Sequence, residues 1–223
     1  MIYLFDANAG KEHLVLKGET HKYLVKVLHH SVGDILKLRN KDSIETLHLY
    51  EIVSIEGRSL TLHLIESKRN EINPQKKLHI GWCVIESKSI EKMLPSLNEI
   101  GVSRISFIYC ERSQKNFKPD FKRFERILEA SMQQSGRTHT MELDTYKNVH
   151  QFIEEFPETK VFDFSDMVLE GDSNFEQVLV GCEGGFSQDE KEFLKSQDVF
   201  RLNTPMILRS ESAVMAVSSK ILL

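Results

Sequence analysis

Three cysteines, Cys83, Cys110 and Cys182, are all that this chain of 223 residues contains. They form no C-x-x-C pair and each lies in or beside an apolar run. That argues against a disulfide framework or a zinc site, and for a reducing compartment. The nine histidines form no H-E-x-x-H, no H-x-H and no Cys/His cluster, so no metal is expected. The N-terminus, "MIYLFDANAGKEHLV", lacks a basic segment leading into an apolar one. No apolar run reaches the roughly 18 residues of a membrane span. The expectation is therefore a soluble, cytoplasmic protein without a membrane partner. Internal repeats and low-complexity tracts are absent as well, while apolar residues, at 40%, suffice for one large domain or two small ones.

Net charge is only -4, yet the charges are segregated. From Arg104 to Arg137 there are eight basic residues against four acidic ones, a local +4. From Glu142 to Glu192, fourteen acids face three lysines, a local -11. An anionic partner would have to approach one face and avoid the other.

The first seventy residues read as short strands, "DILKLRN" and "TLHLYEIVSIEGRSLTLHLIE" among them. Leu60, Leu62 and Leu64 alternate with polar residues, as on one face of a strand. A small all-β unit, a barrel, is predicted. One helical segment, Glu19 to His30, interrupts it, with Tyr23, Leu24, Val27 and Leu28 on one stripe. The polar stretch "SKRNEINPQKK" then marks a boundary near residue 70. Beyond it, strand-like and helical runs alternate, which predicts an α/β sheet with parallel neighbours. Strands are expected at 78–85, 104–110, 160–164, 177–181 and 199–202. A helix stripe of Phe121, Phe124, Ile127 and Leu128 leaves Lys122, Arg123 and Arg126 facing outward. The last helix should bury Ala213, Val214, Val217 and Ile221.

Glycine is sparse, at 11 residues, but three of them, Gly181, Gly184 and Gly185, crowd the stretch "LVGCEGGFSQDE". Ser187 and Glu190 fit the S-x-x-E capping box, so the order is strand, glycine loop, helix. Such a loop lies at the carboxyl end of a sheet strand, where ligands bind, and bare backbone lets them approach. Phosphate is a poor guest: Glu183 would repel it, and neither G-x-x-x-x-G-K-[ST] nor G-x-G-x-x-G is present. A neutral or cationic ligand with hydroxyls and an apolar ring fits better, and S-adenosylmethionine meets that description.

The stretches "GCEGGFSQDE" and "ILRSESA" resemble the G-P-E-G-G-F-S and I-L-R-T-E-T-A motifs of the bacterial 16S ribosomal RNA (uracil-N3) methyltransferases, within the SPOUT superfamily of knotted methyltransferases. "ERSQK", "EASMQQSGR" and "HKYLVKVLHHSVGD" agree with further motifs of that family, so the resemblance spans nearly the whole chain. It implies a PUA-like RNA-binding β-barrel over 1–70, then a SPOUT-type α/β methyltransferase domain over 71–223 with a C-terminal trefoil knot, active as a homodimer on 16S rRNA of the small ribosomal subunit. It implies S-adenosylmethionine contacts from Phe164, from Gly181, Glu183, Gly184 and Gly185, and from Leu202, Ile207 and Leu208. Cys182 stands where the family has proline, and Ser210 and Ser212 where it has threonines.

Methylating uracil N3 requires loss of its proton before attack on the sulfonium methyl. Arg209 is the candidate to stabilise the anion and Glu211 the candidate base. Arg112 and Arg137 are the first choices for RNA phosphate contacts, with Lys115, Lys118 and Arg123 behind them. N3 lies on the pairing edge, so the uridine must be unpaired or flipped out. The alternative for these two residues is that Glu211 only serves the helix start and Arg209 only pairs with it, and the alternative for the whole chain is a non-catalytic RNA-binding or ribosome-assembly protein. A nucleotide-dependent hydrolase is disfavoured by Glu183.

Overall fold

The computed structural model describes residues 1–114, 116, 118–169 and 175–223. The chain divides into two compact units, one of 1–72 with 133–138 and one of 73–132 with 139–223. The return of 133–138 to the first unit differs from the single cut near residue 70, and nothing in the composition of that segment marks it.

The first unit is a five-stranded sheet. Its strands are β1 (Leu4–Phe5), β2 (His13–Lys17), β3 (Ile35–Arg39), β4 (Thr46–Glu56) and β5 (Ser59–Arg69), in the order β1-β3-β4-β5-β2. All neighbours are antiparallel except β1 and β3. Leu60 and Leu62 are buried while their neighbours on β5 are not, as the alternation predicts. The expected helix is corrected. A short α1 (Gly18–Lys22) passes into a π-helical turn over Tyr23–Val27, closed by Leu28 N–H donating to the Tyr23 carbonyl at 3.0 Å. Each π-turn spans an extra residue, which rotates later side chains off the stripe. Leu24 stays buried, whereas Tyr23, Val27 and Leu28 are exposed.

The second unit is a six-stranded, all-parallel sheet of β6 (His79–Cys83), β7 (Arg104–Ile108), β8 (Glu142–Tyr146), β9 (Lys160–Phe162), β10 (Gln177–Val180) and β11 (Val199–Phe200). Its order is β11-β9-β10-β6-β7-β8. The helices are α2 (Ser87–Ile100), α3 (Phe121–Ser135), α4 (Val149–Glu155), α5 (Gln188–Leu194) and α6 (Ser210–Leu222). Gly101 ends α2 in the left-handed conformation, φ 104°, and Val102 N–H returns to the Leu97 carbonyl, the closure that favours glycine there. On α3 the apolar face is Phe124, Leu128 and Met132, with Lys122, Arg123 and Arg126 exposed. The four positions expected to anchor α6 are all buried.

One sequence expectation fails outright. Cys83 and Cys110 are joined by a disulfide, with Cα atoms 5.7 Å apart. Cys83 pairs in register with Ile108, and the turn that bonds Cys110 N–H to the Ile108 carbonyl at 3.0 Å brings Cys110 back over β6. Partners 27 residues apart, one at the end of β6 and the other just beyond β7, leave no spacing signature. Cys182 is free and buried. Among the described residues no helix is long and apolar enough to cross a membrane.

Candidate functional site

From β6 the sheet builds one way, through β7 to β8, and the other way, through β10 and β9 to β11. A reversal of that kind opens a crevice beyond the carboxyl ends of the central strands. A cavity of about 390 Å3 occupies this edge, large enough for a small molecule. Its walls come from the segments that follow β7, β9, β10 and β11, and from the start of α6.

The glycine loop forms the floor. Gly185 N–H donates to the Cys182 carbonyl at 2.9 Å, closing a turn, and Gly185 holds φ 63°, which a side chain would strain. Gly184 lies under Arg112: a Cβ there would meet the Arg112 Cβ at 3.3 Å. Arg112 donates from Nη1 to the Gly184 carbonyl at 2.8 Å. The loop is then fixed to α5 by the full capping box. Ser187 Oγ accepts from Glu190 N–H at 3.1 Å, and Glu190 Oε2 accepts from Ser187 N–H at 2.9 Å. The second oxygen of Glu190 accepts from Glu111 N–H at 2.9 Å, so one buried carboxylate ties the loop after β7 to the glycine loop. Sequence reasoning saw Glu190 only as a cap.

Ser210 is the residue it missed. Buried at the first position of α6, Ser210 Oγ accepts from the Trp82 indole Nε1 at 2.9 Å and donates to the Gly181 carbonyl at 2.6 Å. This clamps α6 to the ends of β6 and β10. The signal was the hydroxyl retained at the motif's first threonine position.

All eight residues expected to bind the cofactor line the cavity: Phe164, Gly181, Glu183, Gly184, Gly185, Leu202, Ile207 and Leu208. Phe164 is 76% exposed and Ile207 83% exposed. Two cations in the walls are already engaged. Lys191 Nζ pairs with Asp163 at 3.0 Å, and Arg201 donates to the Ser165 carbonyl at 2.8 Å. Burial raises the Cys182 thiol pKa above its usual value, so the thiol stays protonated and apolar at neutral pH.

Arg209 and Glu211 flank Ser210 but are not part of the cavity wall. Arg209 is exposed at the N-cap of α6, and no ion pair joins it to Glu211. Glu211 Oε2 is buried without a hydrogen-bond partner. An ion pair that would explain the two residues structurally is thus not formed.

The expected RNA contacts separate. Arg112 belongs to the cavity rim. Arg123 is exposed but bound to Glu91 at 2.8 Å. Arg137 is 4% exposed, and burial pulls its pKa down to about 10, so it is corrected from a surface contact to a buried residue. Its position at the end of a helix in a basic stretch suggested surface, but the segment folds inward. Lys115 lies outside the described residues, while Lys118 is exposed.

A profile of the RNA methyltransferase domain matches residues 71–222. The chain is 36% identical over 224 residues to the ribosomal RNA small subunit methyltransferase E of Helicobacter pylori (strain ATCC 700392 / 26695), covering 98% of each. It is 28% identical to the ribosomal RNA small subunit methyltransferase E 2 of Borreliella burgdorferi, covering 92% of this chain and 89% of that one. Among solved structures, a ribosomal RNA small subunit methyltransferase E from Neisseria gonorrhoeae bound to S-adenosyl methionine shares the fold. The TM-score is 0.73 at 17% identity, over 98% of this chain and 95% of that one.

Proposed function

Because the chain belongs to the RNA methyltransferase family that includes ribosomal RNA small subunit methyltransferase E, we propose that it methylates N3 of a uridine in 16S rRNA of the small ribosomal subunit, using S-adenosylmethionine. The observation that carries this reading is the cavity beyond β9, β10 and β11, set beside a buried and unpartnered oxygen of Glu211.

The residues present fit the cofactor. Exposed apolar side chains, Phe164 and Ile207, offer faces to a purine, and the carbonyls and N–H groups of the glycine loop offer partners to polar edges. Glu183, exposed in the wall, favours a cationic ligand over a polyphosphate. When bound there, S-adenosylmethionine supplies an electrophilic methyl group. The protein's part is to take a proton from uracil N3 and hold the resulting anion in line. Glu211, next to the wall residue Ser210, accepts the proton, directly or through water. Arg209 places a positive charge beside the anion, which lowers the cost of forming it. Arg112, at the rim, holds the loop through Gly184 and meets an RNA phosphate with its remaining donors. Lys118 and the outer face of α3 extend that positive surface.

Three wider features belong to the same reading. The 1–70 region acts as a PUA-like RNA-binding sheet and 71–223 as the catalytic domain. The C-terminal segment threads to form a trefoil knot, as the resemblance of "GCEGGFSQDE" and "ILRSESA" to the motifs of knotted methyltransferases implies. Two copies pair, as the same resemblance implies.

The test is incubation with methyl-labelled S-adenosylmethionine and unmodified small subunits, followed by nucleoside digestion. Label in 3-methyluridine is expected. Label in another nucleoside overturns the position of attack, no transfer despite saturable cofactor binding means that the small subunit is the wrong substrate, and no saturable cofactor binding favours the RNA-binding alternative.

A further inference from the structure

We propose that the first unit carries a surface site for a zinc-class divalent metal ion, formed by His13 and His63 with Glu12. The two histidines lie on β2 and β5, directly opposite each other in the antiparallel ladder. Leu64 N–H donates to the Glu12 carbonyl at 2.8 Å, which makes Glu12 and Leu64 the hydrogen-bonded pair and leaves His13 and His63 as the non-hydrogen-bonded pair beside it. Side chains of such pairs stand closer together.

The separation matches the metal. His13 Nδ1 and His63 Nδ1 are 3.4 Å apart, with ring centroids at 4.9 Å and planes tilted by 35°. Two imidazole nitrogens bound at about 2.0–2.1 Å to one tetrahedral zinc ion are about 3.3 Å apart. The backbone register therefore presets two ligand atoms at the spacing an ion needs. One ligand atom from each of the three residues falls within 4.8 Å of the others. Glu12 is exposed, so a rotamer change brings its carboxylate to the third corner. The fourth corner opens to solvent and takes water.

Two imidazoles and one carboxylate suit zinc, nickel or copper, whereas magnesium and calcium favour all-oxygen shells. The consequence is mechanical: the ion would staple β2, an edge strand of this sheet, to β5. The sequence showed no metal motif because the two histidines are 50 positions apart.

The test uses the full, untagged chain stripped of metal and titrated with Co2+. Four-coordinate Co2+ should develop its intense visible absorption at one equivalent and lose it on adding Zn2+. His13→Ala and His63→Ala should each weaken binding by at least about tenfold, the lower bound of the effect of losing even a residue that only orients a ligand. Glu12→Gln should weaken it less, and His150→Ala should change nothing. X-ray absorption of the wild-type Zn2+ complex should count two imidazoles, a readout that needs no variant. Wild-type affinity in the His13 and His63 variants, an imidazole count other than two, or no stoichiometric binding would each overturn the site.

Discussion

Ser210 joins three elements through one hydroxyl, taking a hydrogen bond from Trp82 on β6 and giving one to Gly181 beyond β10. Ser210→Ala leaves a fully buried indole N–H without its acceptor, at a cost of about 1–3 kcal/mol. A lower midpoint in denaturant unfolding and weaker S-adenosylmethionine binding by calorimetry are expected together; an unchanged midpoint would show that the clamp contributes nothing. The neighbouring Glu211 makes a different prediction. Glu211→Gln keeps the shape and removes the base, so cofactor affinity should hold while single-turnover methyl transfer falls by about 100-fold or more. Full-rate transfer by this variant would remove Glu211 from the mechanism.

Each element of the catalytic sheet depends on what surrounds it, and β6 shows how. His79 at its start is buried between Phe152 and Phe156 and bonded to Ser106 Oγ at 2.7 Å. Burial, then the Arg104 guanidinium, lowers its pKa to about 4, with Asp144 opposing. The unfolded chain, with a histidine pKa of about 6.5, binds this proton first as pH falls. Stability from His79 is thus fully present above about pH 6.5 and is lost towards pH 4, amounting to about 2 kcal/mol between pH 7 and pH 5. Unfolding titrations at the two pH values should show that loss in the wild type, and His79→Gln should reduce it; equal losses in both would place the pH dependence elsewhere. Elements with strong periodicity, α3 and α6, and the capped start of α5, were legible in the sequence. The strand β8, "ELDTY", and the short α4 were not, because charged and half-buried residues hide their pattern. The π-turn after α1 was hidden too, since 3.6-residue spacing and a wider turn begin alike. At the site, the glycine loop and the cavity segments could be read from motifs. Ser210's clamp, Glu190's second bond and the Cys83–Cys110 bridge join partners distant in sequence, and one chain read alone does not reveal them.

At the scale of the molecule, a net charge of -4 conceals the exposed cations Lys118, Lys122 and Arg126. With Arg137 buried, Arg104 paired with Asp144 and Arg123 held by Glu91, these and Arg112 are the described basic residues that remain from the predicted stretch to meet phosphate. Replacing Lys118, Lys122 and Arg126 by Glu should weaken rRNA binding and flatten the dependence of log affinity on log salt by about 0.7–0.9 for each phosphate that is no longer neutralised. An unchanged slope would remove this face from the RNA interface. The central claim, that the site acts on uracil N3, is tested most directly on the RNA itself, by mass spectrometry of 16S rRNA nucleosides from cells lacking the gene. Loss of 3-methyluridine at one position, restored by the wild-type chain and not by Glu211→Gln, is the predicted result. Unchanged 3-methyluridine, or loss of a different methylated nucleoside, would contradict it.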